Sequence, residues 1–492
     1  MSCRAKPRAF SGCSYAPKSL KPTVLAFTHL SAIGSGEHVG YHPSMKLLTN
    51  IVPRLGYPVF HGWWIVMVVF LGGVVGFGIG SIGLGVFIPF MSDDLGWSRT
   101  AMSAVFSIRA VTMGLAGPIV GFAADHKRGP RLLFVGGGII AGASLLLLSQ
   151  SNHIWQFYLS FGVLWSLGQV SFSGQVVSGA LVSKWFVRLR GRAFGFYTMG
   201  IPAGGAIFVP LIAMLISWQG WRGAWISLAI LTWVILIPLS FIIVRRQPED
   251  MGLLPDGSKV PENRLGVTRP MPGAEASPQD PYEIGWTVSQ ALHTSTAWLI
   301  LIGFVLSNMA GGAFMVHQVA AINDKGFSIE MASGIMAVLF FFSFIIKPIA
   351  GVLTERMPVR YAACFFIALA GTSLLILAVA NTVPLLMLFA VLYGCGVGAT
   401  TVLQSIVWAD YFGRQFQGAI RGALAPVFAI SQAFSPLFAG WMYDTTGSYD
   451  KAFTIVGVAA FLASILILVA RPPVFKPTAA LKHGQEPQSA GQ

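Results

Sequence analysis

The sequence predicts an all-α integral membrane protein with twelve transmembrane helices arranged as two six-helix halves. Three observations predict it. The 492 residues are 54% hydrophobic and only 10% charged, against about 25% charge in an average soluble domain. The apolar stretches are continuous rather than alternating, and each approaches the ~20 residues that cross hydrocarbon as a helix. Two glycine-bearing charged motifs of the first half recur in the second, so the chain carries an internal repeat. A bilayer leaves helices or closed barrels as its only spanning structures, and unbroken apolar runs select helices.

Residues 1–60 read as an N-terminal extension without fixed structure. They are basic and lack the roughly 7–15-residue apolar core of a secretory signal. Met45 is an alternative start, and a transit peptide is the rival reading of what precedes it. The first half, 61–244, holds predicted helices at 63–90, 99–123, 132–150, 154–182, 193–217 and 224–244. A Pro- and Gly-rich polar stretch, 245–296, reads as a mostly unstructured cytoplasmic linker. The second half, 297–471, holds helices at 297–320, 330–354, 361–380, 383–409, 418–440 and 452–470, before a cytoplasmic tail at 472–492.

The formal charge is +14, which in a soluble protein would suggest nucleic acid. Its distribution points instead to topology. Lys127, Arg128, Arg131, Arg188, Arg192, Arg245, Arg246, Arg356 and Arg414 fall on one set of loops, whereas the alternate set holds few cations, such as Arg222, Lys325 and Lys451. Basic loops favour the cytoplasm, so both termini are expected there, in a cell membrane of the bacterial inner-membrane kind. No nucleic-acid partner is expected, and the chain is expected to act as a monomer in the lipid bilayer. Of four cysteines, Cys3 and Cys13 lie in the extension, and Cys364 and Cys395 lie in apolar runs as small hydrophobes. No spacing suggests a metal site or a disulfide framework, and no cofactor is expected.

Gly121-Phe-Ala-Ala-Asp125, followed by Arg131, recurs 230 residues later as Gly351-Val-Leu-Thr-Glu355, followed by Arg360. Each closes the second helix of its half. Trp185-Phe186-Val187-Arg188, with Gly191 and Gly195, recurs about 226 residues later as Tyr411-Phe412-Gly413-Arg414, with Gly418 and Gly422. Each joins the fourth helix of its half to the fifth. The glycines let helices approach closely. The carboxylates can cap a helix end or pair with loop cations, latching one face in one state and releasing it in another. The plainer alternative is that these charges only mark the cytoplasmic face.

With these motifs the chain resembles the major facilitator superfamily over about residues 60–470. That family's signature, G-x-x-x-D-x-x-G-x-R, follows the second helix and is weakly repeated after the eighth. This chain has one extra residue before Gly129 and has Pro358 where the repeat expects Gly. Within the superfamily it resembles the oxalate–formate antiporter and monocarboxylate transporter branch. The resemblance rests on His61-Gly62-Trp63-Trp64, "GWSRT", "WFVRLRGRAFG", Gly220-Trp221-Arg222, "MVHQVAAINDKGFS", "YFGRQFQGAIRG" and "YDTTGSYDKAF". It implies a secondary transporter of small organic anions, a small-molecule carboxylate above all, working by alternating access, with substrate held near the midplane between the halves. A carrier of a drug or sugar on the same fold is the alternative.

Ionisable groups inside apolar helices are the first site candidates. Lys347 lies in the eighth predicted helix, where it either meets the substrate or snorkels. In the monocarboxylate branch a cation stands here, before a Pro and then the Gly of the second motif; Lys347, Pro348 and Gly351 are similar to that arrangement. The proton-linked relatives carry an Asp one turn earlier, where this chain has Ser343. Proton coupling by that route is therefore not expected, which leaves anion exchange, His317 or Lys347 itself. A Ser343–Lys347 dyad is the only formal enzymatic reading, and the chain is not expected to be an enzyme. Arg109, deep in the second helix, contacts either substrate or a neighbouring helix. Asn308, Gln404 and Tyr197 are candidate lining residues, as more weakly are Ser431 and Gln432. In the fourth helix, Ser166, Gln169 and Ser173 share one face and Ser171, Gln175 and Ser178 another; the Gln169 face is read as the lining. His317, beside Gln318, is either a proton carrier or an interfacial hydrogen-bonding group. The gating candidates are Gly121, Asp125, Arg131, Gly351, Glu355 and Arg360.

Overall fold

A computed structural model describes residues 59–257 and 285–473. The extension to residue 58, the linker centre 258–284 and the tail beyond 473 lie outside the described residues.

The first long helix, His61–Leu95, consists of α1 (His61–Phe77), a π-helical segment (Gly78–Gly83) and α2 (Leu84–Leu95). It stops at Gly96, whose φ of +67° is a left-handed helix cap. Ser98 then starts α3 (Arg99–Asp125), its Oγ accepting the Ala101 N–H at 3.2 Å. α4 spans Gly129–Ser149. The fourth predicted helix, expected as one run over 154–182, is built in pieces. These are α5 (Ile154–Phe157), a π-helical segment (Tyr158–Trp165), α6 (Ser166–Phe172) and α7 (Gln175–Trp185). The break falls at Ser173-Gly174, where Gly174 is extended. Hydroxyls repair it: Ser178 Oγ donates to the Phe172 carbonyl at 3.3 Å. α8 (Arg190–Thr198) and α9 (Gly200–Ile243) follow.

Together α8 and α9 cover 54 residues. At helical rise that is about 80 Å, more than twice the ~30 Å of hydrocarbon. Gly220, with φ +72° and ψ 169°, breaks the run where the chain turns back.

In the second half, the short α10 (Val288–Leu292) precedes α11 (Ser295–Asn323), α12 (Ile329–Thr354), α13 (Val359–Val379), α14 (Val383–Phe412), α15 (Gln417–Thr446) and α16 (Asp450–Val469). The repeat extends to the turns. Gly326 (φ +87°) and Ser328 open α12 as Gly96 and Ser98 open α3, again 230 residues apart. Gly447 (φ +70°) answers Gly220. The two departures from the family loop pattern are absorbed locally: Gly129 N–H bonds the His126 carbonyl at 3.0 Å, and Pro358 sits at the N-cap of α13. Cys364 and Cys395 are free and half-buried.

The linker ends next to the helices are ordered, while its centre, 258–284, lies outside the described residues. Pro248–Met251 and Pro255–Gly257 form 3₁₀ turns. The Asp256 carboxylate accepts the backbone N–H groups of Val187, Arg188 and Leu189, at 2.7 Å from Arg188. Those donors lie in the short loop between α7 and α8, so Asp256 fixes it.

Ten helical runs among the described residues are long and apolar enough to cross a membrane. On α3, Leu115, Ile119 and Phe122 are 69%, 74% and 64% exposed. They form one apolar stripe at helical spacing facing outward, the arrangement expected against lipid. The opposite, glycine-bearing face packs on α15.

Candidate functional site

The two halves meet first at the face carrying the repeated motifs. Asp125 ends α3, and its carboxylate reaches across to the first turn of α15, accepting the N–H groups of Gly418 at 3.3 Å and Ala419 at 2.8 Å. A carboxylate there satisfies orphan donors and faces the positive end of the helix dipole. Lys184 holds the same carboxylate from its own half at 2.6 Å. The second half repeats the device. Glu355 follows α12 and accepts the Arg192 N–H at 3.2 Å in the first turn of α8, with Arg192 Nε at 3.0 Å. Each half thus caps a helix of the other.

Further ion pairs complete this face. Arg190 meets Asp410 at 2.5 Å across the seam. Arg414 donates to the Lys184 carbonyl at 3.2 Å and to Glu249 at 2.6 Å. Of the expected loop cations, Arg131 stacks on the Phe241 ring at 4.0 Å and Arg360 bonds its neighbour Tyr361 at 2.9 Å. Neither is among the partners of Asp125 or Glu355.

Glycines set the spacing beneath the ion pairs. A Cβ on Gly121 would stand 2.2 Å from the Gly418 carbonyl oxygen, and one on Gly351 2.1 Å from that of Gly191. Only hydrogen fits at such distances, so α3–α15 and α8–α12 touch backbone to backbone.

One level deeper the seam stays polar. Tyr197 Oη lies 3.4 Å from Ser405 Oγ, and that hydroxyl donates to Gln175 Oε1. Gln175, not Gln169, is therefore the helical glutamine that reaches the other half. Gln169 is buried against α1, its Nε2 donating to the Gly76 carbonyl at 2.8 Å.

Lys347 is 2% exposed. Its ammonium donates to Thr401 Oγ1 at 2.7 Å and to the Gly398 carbonyl at 3.5 Å, both on α14. It does not snorkel to either surface. No carboxylate among the described residues forms an ion pair with it, and no hydrogen bond links it to Ser343. Thr401 also borders a small cavity of ≈ 40 Å³ with Asn308, Tyr393, Thr400 and Gln404. Asn308 and Gln404 bond each other across it at 3.4 Å, while the Tyr393 hydroxyl is buried without a partner. The structure thus gathers Lys347, Asn308 and Gln404 around Thr401.

Arg109 is 5% exposed and is held within its own half. It donates to Gln169 Oε1 at 2.7 Å and to the carbonyl of Gly80 in the first π-helical segment. Its Nε is buried without a partner. His317 lies at the far end of α11. Its Nε2 bonds the Pro436 carbonyl at 3.1 Å and its Nδ1 meets Tyr449 Oη at 3.2 Å. A carbonyl only accepts, so Nε2 carries the proton.

Sequence reasoning did not single out Thr401, Ser405, Lys184, Arg190, Asp410 or Arg421. Lys184 and Asp410 occupy matching places just before the repeated Trp185-Phe186 and Tyr411-Phe412 pairs, which was the available signal.

The comparisons agree with this architecture. The chain matches the Major Facilitator Superfamily over residues 68–344 and 300–490. It is 29% identical to monocarboxylate transporter 12 of Rattus norvegicus over 345 residues, covering 67% of this chain and 69% of that protein. It is 24% identical to monocarboxylate transporter 13 of the same species, over 84% of this chain and 90% of that one. The crystal structure of the human organic anion transporter MFSD10 (TETRAN) superposes with a TM-score of 0.61 at 17% identity, covering 84% of this chain and all of that one. Paired motifs, reciprocal caps and family match together show that this chain is a membrane transporter belonging to the Major Facilitator Superfamily.

Proposed function

We propose that the protein carries small organic anions of the monocarboxylate type across a cell membrane by alternating access, with Lys347 as the principal anion contact. The observation that carries this reading is a buried ammonium held only by a hydroxyl and a carbonyl, beside the seam between the halves. A lysine at a helix centre costs about 2.5–3.5 kcal/mol to insert, and a carboxylate arriving in the seam offsets that cost through charge-assisted hydrogen bonds. The relatives named as monocarboxylate transporters support the same substrate class. Arg109 is a second positive group in the opposite half. Asn308, Gln404 and Tyr197 supply neutral hydrogen bonds around the seam, and Gln169 acts by holding Arg109. His317 is the proton-linked candidate on the far side.

In this reading the chain crosses the bilayer twelve times: the ten apolar runs, plus the division at Gly220 and the segmented crossing of α5–α7. The domain limits are those expected from the sequence, both termini lie in the cytoplasm, and one copy suffices. The motif face is then cytoplasmic, and the state described is closed on that side. Gly121, Asp125, Gly351 and Glu355 form the gate, with Arg131 and Arg360 supporting its loops. The test of the substrate class is counterflow: purified protein in liposomes loaded with an unlabelled carboxylate accumulates the labelled one, and failure across a panel of short carboxylates removes the proposal.

Asp125→Asn removes the charge that caps α15 and pairs Lys184. The motif face is expected to open more often, by about tenfold in population, since hydrogen bonds to charged groups contribute ~1.5–3 kcal/mol. Electron–electron distances between spin labels at the exposed Arg128 and Arg356 positions read this directly. An unchanged distance distribution with weakened substrate binding contradicts the gating role.

A further inference from the structure

We propose that Arg421 is a second anion-binding station, on the motif-face side of Lys347, that receives the substrate carboxylate when that face opens. The inference rests on the reading that the cargo is an organic anion.

Arg421 lies one turn inside α15 and is 6% exposed. Its Nε donates to Gln417 Oε1 at 3.1 Å, its Nη2 donates to the Ser405 carbonyl, and its guanidinium stands 5.6 Å from the Phe194 ring. None of these is a counter-ion. The four carboxylates of the gate are taken by other cations: Asp125 by Lys184, Asp410 by Arg190, Glu355 by Arg192 and Glu249 by Arg414. Among the described residues, Arg421 is thus a buried cation with no ion-pair partner, beside gate carboxylates that are each paired with another cation. An intramembrane charge kept without a counter-ion is costly and marks a functional position.

Its surroundings show what opening would do. Both hydrogen-bond acceptors, Ser405 and Gln417, belong to its own half. From the other half it meets Gly179, where a Cβ would stand 2.6 Å from Nη1, and the Phe194 ring. When the halves part at this face, the bonds that orient the guanidinium remain, while the bare Gly179 backbone, the Phe194 ring and the neighbouring Tyr197 move away from it. A correctly oriented cation is then uncovered toward the vestibule.

Lys347 is anchored on α14 at Thr401 and Arg421 at Ser405. These anchors are one helical turn apart, about 6 Å along the axis. The Tyr197 and Gln175 side chains reach the same Ser405. Two cations on successive turns, with neutral hydroxyls and amides beside them, make a graded path for a carboxylate leaving or approaching Lys347.

A merely structural pin between α14 and α15 would affect transport equally from either side. An anion station on the motif side would not. The experiment is exchange of a labelled short monocarboxylate by the full-length protein in liposomes of defined orientation, with half-saturating concentration measured on each face while the opposite face is saturated. Arg421→Gln is expected to raise the half-saturating concentration on the motif face by about tenfold, the effect of one charge-assisted hydrogen bond, and to leave the other face unchanged. Arg421→Lys keeps the charge and gives a smaller, equally one-sided change. Should Arg421→Gln fail to fold, that one-sidedness is the readout. A change of equal size on both faces, or none on the motif face, overturns the proposal while leaving the anion reading intact. Absence of carboxylate exchange by the unsubstituted protein overturns both.

Discussion

Replacing Lys347 by Gln is expected to lower carboxylate transport by about ten- to a hundredfold, the range that ~1.5–3 kcal/mol for a hydrogen bond to a charged group allows. The substitution keeps polarity and roughly the length. Thr401 and the Gly398 carbonyl still find a polar neighbour, so a monodisperse protein is expected in detergent. What is removed is the positive charge beside Thr401. Arg in its place is expected to retain part of the activity, since the charge survives while the planar fork differs from a compact ammonium. A Gln protein that transports carboxylates with unchanged affinity and rate would assign Lys347 to helix packing alone.

The second large effect concerns the gate. Gly351→Val is expected to suppress closure of the motif face. Even a Cβ there meets the Gly191 carbonyl oxygen at 2.1 Å, and a valine adds two methyl groups beyond it. Overpacking of this kind costs about 1–3 kcal/mol. The cost falls only on the state in which α8 and α12 touch, so it moves a conformational equilibrium rather than the folding equilibrium. The closed state should lose about 5- to 150-fold in relative population, and turnover should fall with it. Gly121→Val acts at the matching α3–α15 contact and should do the same. Spin-label distances across the motif face are expected to lengthen in both variants. Lost transport with an unaltered distance distribution would show that these glycines serve assembly rather than gating.

The parts of this arrangement that were legible in the sequence are those written in local pattern. Apolar length announced the helices, and Gly121-to-Asp125 with its copy Gly351-to-Glu355 announced both the duplication and the face on which the halves meet. Lys347 stood out because one ammonium in an apolar helix is anomalous wherever its partner lies. The partners were not legible. Asp125 bonds Ala419 from 294 positions away, and because both halves carry the same motif, the sequence does not say whether a carboxylate serves its own loop or the other half. The fourth predicted helix offers two polar faces, and the Gln169 face is read as the lining. The choice between Gln169 and Gln175 depends on the break at Ser173-Gly174, and one continuous helix over 154–182 does not contain that break. Arg421 was hidden differently. Four residues from a loop, it reads as one more basic marker of the cytoplasmic face, and only the packing of α7, α8 and α14 around it shows that it is buried.

The central claim is that a negative charge on the cargo is what the seam recognises. The direct measurement is counterflow by purified protein in liposomes, comparing a short labelled monocarboxylate with its uncharged amide of the same shape. The account predicts accumulation of the carboxylate, none of the amide, and loss of the carboxylate signal in Lys347→Gln. Equal accumulation of carboxylate and amide, or of neither, would contradict it.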